Sequence, residues 1–191
     1  MYIYLGAFFE REANVRKGER KLIHGDVVLD DLIVGMIRTS AVKRFTIHQC
    51  LHHPYYWSSQ KQLNFLVDVS DRLEKEDRDC VIITQLEKHA QKIVDNWMGS
   101  IGSIVLADLG KFRKYVPTSL IDLLRALRNK KNHYQELPDL VKKELGSLPT
   151  EFLKFFTSKY PRLLIYVYNV FKESDLAREA MFASYLKSAE N

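Results

Sequence analysis

Ser119-Leu-Ile-Asp-Leu-Leu-Arg-Ala-Leu-Arg-Asn-Lys-Lys-Asn-His133 is the stretch on which the fold of this chain turns. Ser119 and Asp122 fit the Ser-x-x-acid pattern of a helix start, although Asp is shorter than the preferred Glu. Leu120, Leu123, Leu124 and Leu127 then recur at i, i+3, i+4 and i+7, so the helix has an apolar stripe that must be buried. Arg125, Arg128 and Asn129 lie off the centre of that stripe and can face solvent or a groove. Asn129 and His133 are four apart and share a face if the helix runs that far.

Outward from this segment the pattern stays helical. Val28, Leu29, Leu32, Ile33, Met36 and Ile37 fall at helical spacing behind Asp26 as N-cap. Thr46 to Leu51 reads as a short helix stopped by Pro54. Ser58 opens a long helix with Leu63, Leu66, Val67, Val69 and Leu73 on one face. A further helix is expected from Gln85 to Trp97, then a loop punctuated by Gly99 and Gly102. Pro138 to Leu145 is a short helix with Gly146 as its stop. A closing helical pair, broken at Pro161, carries Leu153, Phe155, Phe156, Leu163, Leu164, Val167 and Phe171. Cys80 to Thr84 is the one β-prone run, and it also fits a single helical turn. The fold class is all-α.

Composition narrows the setting. The chain has 191 residues and 46% apolar content, enough for a core without staples. Two cysteines, Cys50 and Cys80, exclude a disulfide framework and fit a reducing compartment. No apolar run approaches the roughly 20 residues of a membrane helix. The opening Met-Tyr-Ile-Tyr-Leu-Gly-Ala-Phe-Phe carries no basic residue ahead of its apolar stretch, so no signal peptide and a cytoplasmic setting are expected. Net charge is +5, yet the window Lys111 to Lys131 holds seven basic residues against Asp122 alone. Such a patch points to a polyanionic partner or to a solvated helix face.

Three echoes are read as chance. His48, Cys50, His52 and His53 cluster in sequence but lack the second spaced pair of a zinc site. His24-Gly25-Asp26 and Asp108-Leu109-Gly110 mimic the catalytic Asp motifs of kinases, without a Gly-rich loop, a strand Lys or the Asn that should follow. Neither a metal, a cofactor nor a nucleotide is expected.

The basic window holds a set of groups suited to one reaction. RNA carries its own nucleophile, the 2′-hydroxyl. Cleavage needs a base for that hydroxyl, an acid for the leaving 5′-oxygen and donors for the phosphorane. His is the natural acid and Arg the natural fork for phosphate oxygens. His133, Arg128, Asn129 and Tyr115 supply this set within 19 positions.

Two stretches carry a family resemblance. Asp31 to His48 and Leu51 to Ser58, with Arg44 and the Glu10-Arg-Glu-Ala-Asn14 segment, look like the last helices of a kinase C-lobe. Trp57-Ser58, Lys61-Gln-Leu, Asp68-Val-Ser-Asp-Arg72, Asp108-Leu109, Lys111-Phe-Arg113, Tyr115, Asp122 to Tyr134, Glu136-Leu-Pro138, Gly146-Ser-Leu-Pro149 and Phe156-Thr-Ser158 follow in order. Together they resemble the KEN ribonuclease domain of the unfolded-protein-response kinase/endoribonuclease and ribonuclease L family. The resemblance implies a kinase remnant over residues 1–53, without kinase activity, and a compact KEN domain over residues 54–185. It makes His133 the general acid, Tyr115 a contact to the 2′-hydroxyl or phosphate, Arg128 the phosphate clamp and Asn129 a positioning residue. It extends RNA binding to Lys111, Arg113, Lys114, Arg125, Lys130, Lys131 and Asn132; the family pattern has His where Asn132 stands. The implied reaction is metal-independent and leaves a 2′,3′-cyclic phosphate and a 5′-hydroxyl. Expected partners are RNA, as a stem-loop or single-stranded loop, and a weak homodimer or a full-length family member. The alternative is a non-catalytic module that modulates such a relative; a sequence-tolerant RNA binder is a third option.

Overall fold

The computed structural model describes residue 13, residues 25–111 and residues 113–186. Of the Glu10-to-Asn14 segment only Ala13 falls among them, and His24 and Phe112 lie outside. The described residues are helical with no strand, and they form two compact units divided between Tyr56 and Trp57. None of their helices is long and apolar enough to cross a membrane.

In the first unit, α1 (Val27–Met36) starts where Asp26 accepts hydrogen bonds from the amides of Val28 and Leu29. Thr46 and Gln49 form a reciprocal capping box at the start of α2 (Ile47–Leu51). The Arg44 guanidinium donates to the carbonyls of Arg38 (2.6 Å) and Thr39 (3.3 Å). His53, buried, meets Asp31 at 3.2 Å. Among the described residues no three His, Cys, Asp or Glu side chains come together as a metal cluster.

The second unit is built on α3 (Ser59–Leu73), capped by the Ser58 hydroxyl on the Lys61 amide. Its inner residues Leu63, Phe65, Leu66, Val69 and Leu73 are buried. They pack along α8 (Leu120–Asn132), which buries the leucine stripe of its first nine residues. Each such side chain contributes about 1.5–3 kcal/mol by leaving water. Between these helices the chain makes α4 (Val81–Glu87), α5 (Ala90–Val94), α6 (Trp97–Ser100) and α7 (Ser103–Gly110). After them come α9 (Asp139–Leu145), α10 (Thr150–Lys159), α11 (Leu163–Lys172) and α12 (Ala183–Leu186). Gly146 ends α9 at φ 76°, a conformation that favours glycine. Phe65 lies in ring contact with Trp57, Tyr168, Phe171 and Tyr185, which ties α3 to α11 and α12.

Three local expectations are corrected. The helix expected from Gln85 to Trp97 is three pieces. It breaks at His89 and again at Asp95, whose φ is 45°. Beyond that break the Trp97 amide donates to the Pro117 carbonyl at 3.0 Å, a bond no continuing helix would allow. Of the loop expected at Gly99 and Gly102, Gly99 lies inside the one-turn helix α6, and Gly102 is the residue just before α7. At the start of α8 only half of the capping box forms. Ser119 accepts from the Asp122 amide (3.1 Å), but the Asp122 carboxylate turns back to the Val116 amide (2.7 Å). The helix start is completed by Glu87, which accepts from the Ser119 hydroxyl (2.5 Å) and the amides of Leu120 and Ile121 (each 3.1 Å). A carboxylate there also complements the helix dipole.

Candidate active site

The C-terminal turns of α8 form one wall of a cavity of about 590 Å³. The end of α7, Lys111, Arg113 and Tyr115, and the turn that follows α8 form the rest. Arg128, Asn129, Tyr115 and His133 all line it. Of the residues expected to bind RNA, Lys111, Arg113 and Lys130 line it, while Lys114, Arg125, Lys131 and Asn132 do not.

Tyr115 is held by the core. Its ring packs edge-on against Trp97, centroids 5.9 Å apart, and Trp97 is fully buried. The Trp97 indole donates to the Val116 carbonyl at 3.1 Å, and the Tyr160 hydroxyl donates to the Trp97 carbonyl at 2.8 Å. The loop bearing Tyr115 is therefore pinned from beneath. The Tyr115 hydroxyl accepts from Asn129 Nδ2 at 3.0 Å. Asn129 Oδ1 in turn accepts from Arg128 Nε (3.2 Å) and Nη2 (3.0 Å). Arg128 Nη1 lies 3.2 Å from both Asp71 and Glu74 of α3. Phenol, amide, guanidinium and two carboxylates thus form one chain of polar contacts.

Arg128 is buried although it lines the cavity. A buried guanidinium needs counter-charge, and Glu74 is the hub that supplies it. Glu74 also meets Arg125 at 2.7 Å and Arg113 at 3.5 Å. Burial alone would raise the Glu74 carboxyl, but Arg125, Arg128 and Arg113 outweigh it and hold it below the ordinary carboxylate range. Arg125 is only 15% exposed and spans Glu74 and the buried Asp122 (3.3 Å). It braces α3 against α8 and does not line the cavity.

His133 sits at the C-terminal cap of α8, its amide bonded to the Asn129 carbonyl. The helix thus stops one residue short of it, and the imidazole swings to the rim, 65% exposed. Its Nδ1 lies 3.0 Å from the Glu136 carboxylate in the turn Tyr134–Glu136. The Tyr134 hydroxyl donates to the Gly146 carbonyl at 2.8 Å and anchors that turn.

A second buried cation also lines the cavity. Lys130 is buried against Asp108 of α7, and Lys111 takes the other Asp108 oxygen at 3.1 Å. Burial would raise the Asp108 carboxyl, but the hydrogen bonds from Lys130 and Lys111 overcome it and keep it below the ordinary range. Asp71, Glu74, Asp108 and Glu136 were not singled out as site residues in the sequence. The sequence signal for Asp71 and Glu74 is their i, i+3 spacing on the helix most apt to pack on α8.

A family model described as Ribonuclease 2-5A matches residues 62–186. The chain is similar to the "Sensor for unfolded proteins in the ER ire1" of Schizosaccharomyces pombe, 40% identical over 95% of this chain and 18% of that protein. It is 41% identical to the "Serine/threonine-protein kinase/endoribonuclease ire-1" of Caenorhabditis elegans, over 94% of this chain and 19% of the relative. With the "Serine/threonine-protein kinase/endoribonuclease IRE2" of Homo sapiens it shares 41% identity over 92% of this chain and 19% of the relative. The chain spans about a fifth of the length of these relatives.

Proposed function

The chain belongs to the Ribonuclease 2-5A family, and we propose that it is an endoribonuclease that cuts RNA without a metal, by attack of the RNA's own 2′-hydroxyl. The observation that carries this reading is the convergence of His133, Tyr115, Asn129 and Arg128 on one cavity. The 2′-oxygen forms its bond to phosphorus while the bond from phosphorus to the 5′-oxygen breaks. Tyr115 contacts the 2′-hydroxyl and lines it up, and the proton released there goes to water. Arg128 faces the charge that grows on the phosphorane oxygens, where a fixed donor is worth most. His133 gives a proton to the leaving 5′-oxygen from Nε2 while Glu136 holds Nδ1. The products are a 2′,3′-cyclic phosphate and a 5′-hydroxyl. Lys111, Arg113 and Lys130 hold flanking phosphates, and RNA arrives as a stem-loop or single-stranded loop. A weak homodimer, or pairing with a full-length family member, accompanies activity in the cytoplasm. Residues 1–53 are related to the closing part of a kinase lobe.

The test is cleavage of a stem-loop RNA by the purified chain in EDTA, with product ends identified chemically. Cyclic phosphate ends formed in chelator support the reading; tight binding without cleavage overturns it. One observation favours a non-catalytic module instead: the carboxylates of Asp71 and Glu74 already occupy one edge of the Arg128 guanidinium. In that case RNA stays intact, and adding the chain changes the cleavage rate of a full-length relative.

A further inference from the structure

Asp108 is 4% exposed and Lys130 5%, and the two form a closed ion pair across α7 and α8 on the cavity wall. A buried pair of this kind adds little stability compared with apolar side chains of similar volume. What it does is keep an ammonium charged where little water reaches. That ammonium has three protons, and Asp108 takes one. The cavity is the place where the others can meet a ligand.

Resting on the reading of the cavity as an RNA-cleaving site, we infer that Asp108 is a positioning residue for the reaction: it holds Lys130 charged and aimed at a phosphate oxygen of the bound RNA. The surroundings of Lys130 make the carboxylate necessary. From α7 and its end come Asp108 and Lys111; from the following segment, Arg113 and Tyr115; from α8 and its end, Arg128 and His133; from the last turn, Glu136. Lys111, Arg113 and Arg128 are like charges that favour loss of a proton from a nearby ammonium. Glu136 is 76% exposed and bound to His133, so its charge is screened. Among the described residues, Asp108 is the buried carboxylate that meets Lys130.

The inference predicts an ionisation that appears only when Asp108 is neutral. In Asp108→Asn, Lys130 is a buried ammonium among like charges with no counter-ion. Beyond any alkaline fall that the general acid gives parent and variant alike, cleavage by this variant gains one extra limb, a further fall of about tenfold per pH unit once the single proton is lost. Asp108→Asn with Lys130→Arg removes the limb, because a guanidinium does not lose its proton in this range. Asp108→Glu keeps the parent's profile at a reduced rate. Should Asp108→Asn not fold, the double variant Asp108→Asn, Lys130→Met replaces the pair by uncharged groups; slow cleavage with no limb beyond the parent's is then expected, and the parent's rate would refute the role.

The same pH series is read in binding of a 2′-O-methyl RNA, which cannot be cut. A parent that does not cleave sinks the ribonuclease reading, yet a limb in binding still supports the Asp108–Lys130 coupling. A parent that cleaves, beside a folded Asp108→Asn variant whose profiles run parallel to it, overturns the inference alone.

Discussion

Replacing Arg128 with Lys, beside the same change at Arg125, separates chemistry from bracing. Arg128 uses Nε and Nη2 on Asn129 and Nη1 on Asp71 and Glu74. A lysine ammonium at this site can keep the carboxylate side, but it cannot also present a planar fork to Asn129 and to phosphate. Glu74 would still be paired with Arg125 at 2.7 Å, so the loss of stability should be about 1 kcal/mol. Loss of a donor aimed at transition-state charge is larger, about 100- to 1,000-fold in rate or roughly 3–4 kcal/mol. Arg125→Lys breaks the two-carboxylate brace between Glu74 and the buried Asp122. It should cost about 1–2 kcal/mol of stability, with cleavage per folded molecule inside about threefold of the parent. Urea unfolding and single-turnover cleavage of one RNA measure both quantities. Arg128→Lys cleaving within threefold of the parent, or Arg125→Lys losing as much rate as Arg128→Lys, would refute the division of labour drawn from the cavity.

Three further outcomes are expected. His133→Ala should lose about 100- to 10,000-fold in cleavage with an unchanged unfolding midpoint, because the imidazole is exposed at the rim; undiminished cleavage by the folded variant removes it as the acid. Stability should fall on acidification: the folded carboxyls of Glu74 and Asp108 lie below their ordinary values of 4.5 and 3.8, so their contribution is complete above those values and is lost as pH falls through the lower folded ones. Urea midpoints between about pH 6 and about pH 3 measure this, and Glu74→Gln should flatten the dependence. Cleavage should fall as salt rises from about 50 to about 200 mM and rise faster than linearly with protein concentration, since phosphate contacts release counterions and two copies must meet; activity linear in protein and indifferent to salt would contradict both.

The parts of the fold legible in the sequence are those set by neighbours along the chain. The leucine stripe of α8, the Asp26, Thr46 and Ser58 caps and the Gly146 stop need only residues within about one turn, and each stands where its spacing put it. The break at Asp95 carries no Gly or Pro to announce it; it follows from a hydrogen bond between Trp97 and Pro117 that local spacing cannot encode. The site divides in the same way. His133, Asn129 and Arg128 stand together in one motif, so their meeting on one cavity is legible in the sequence. Their supports are not, since Asp71 meets Arg128 from 57 residues away and Asp108 meets Lys130 from 22. Asp108 even had a misleading context, a chance likeness to a kinase triplet.

The basic window shows why a charge count reads a site poorly. Arg125, Arg128 and Lys130 supply three of its seven positive charges, and each is sunk against carboxylates from other helices. Arg128 and Lys130 line the cavity, where the field of buried charges is insensitive to salt, whereas Arg125 braces α3 against α8. On the proposed reading, steering of a polyanion falls to the exposed members, chiefly Lys111, Arg113 and Lys114. These two populations answer differently to the same experiment. Neutralising Lys114, exposed and outside the cavity lining, should weaken RNA association and lower its salt slope by about one, with the bound rate unchanged. Neutralising Lys130 should lower the bound rate by a factor that added salt does not restore. A single titration of association and single-turnover rates against salt, on those two variants, therefore distinguishes a patch that gathers RNA from a cavity that acts on it.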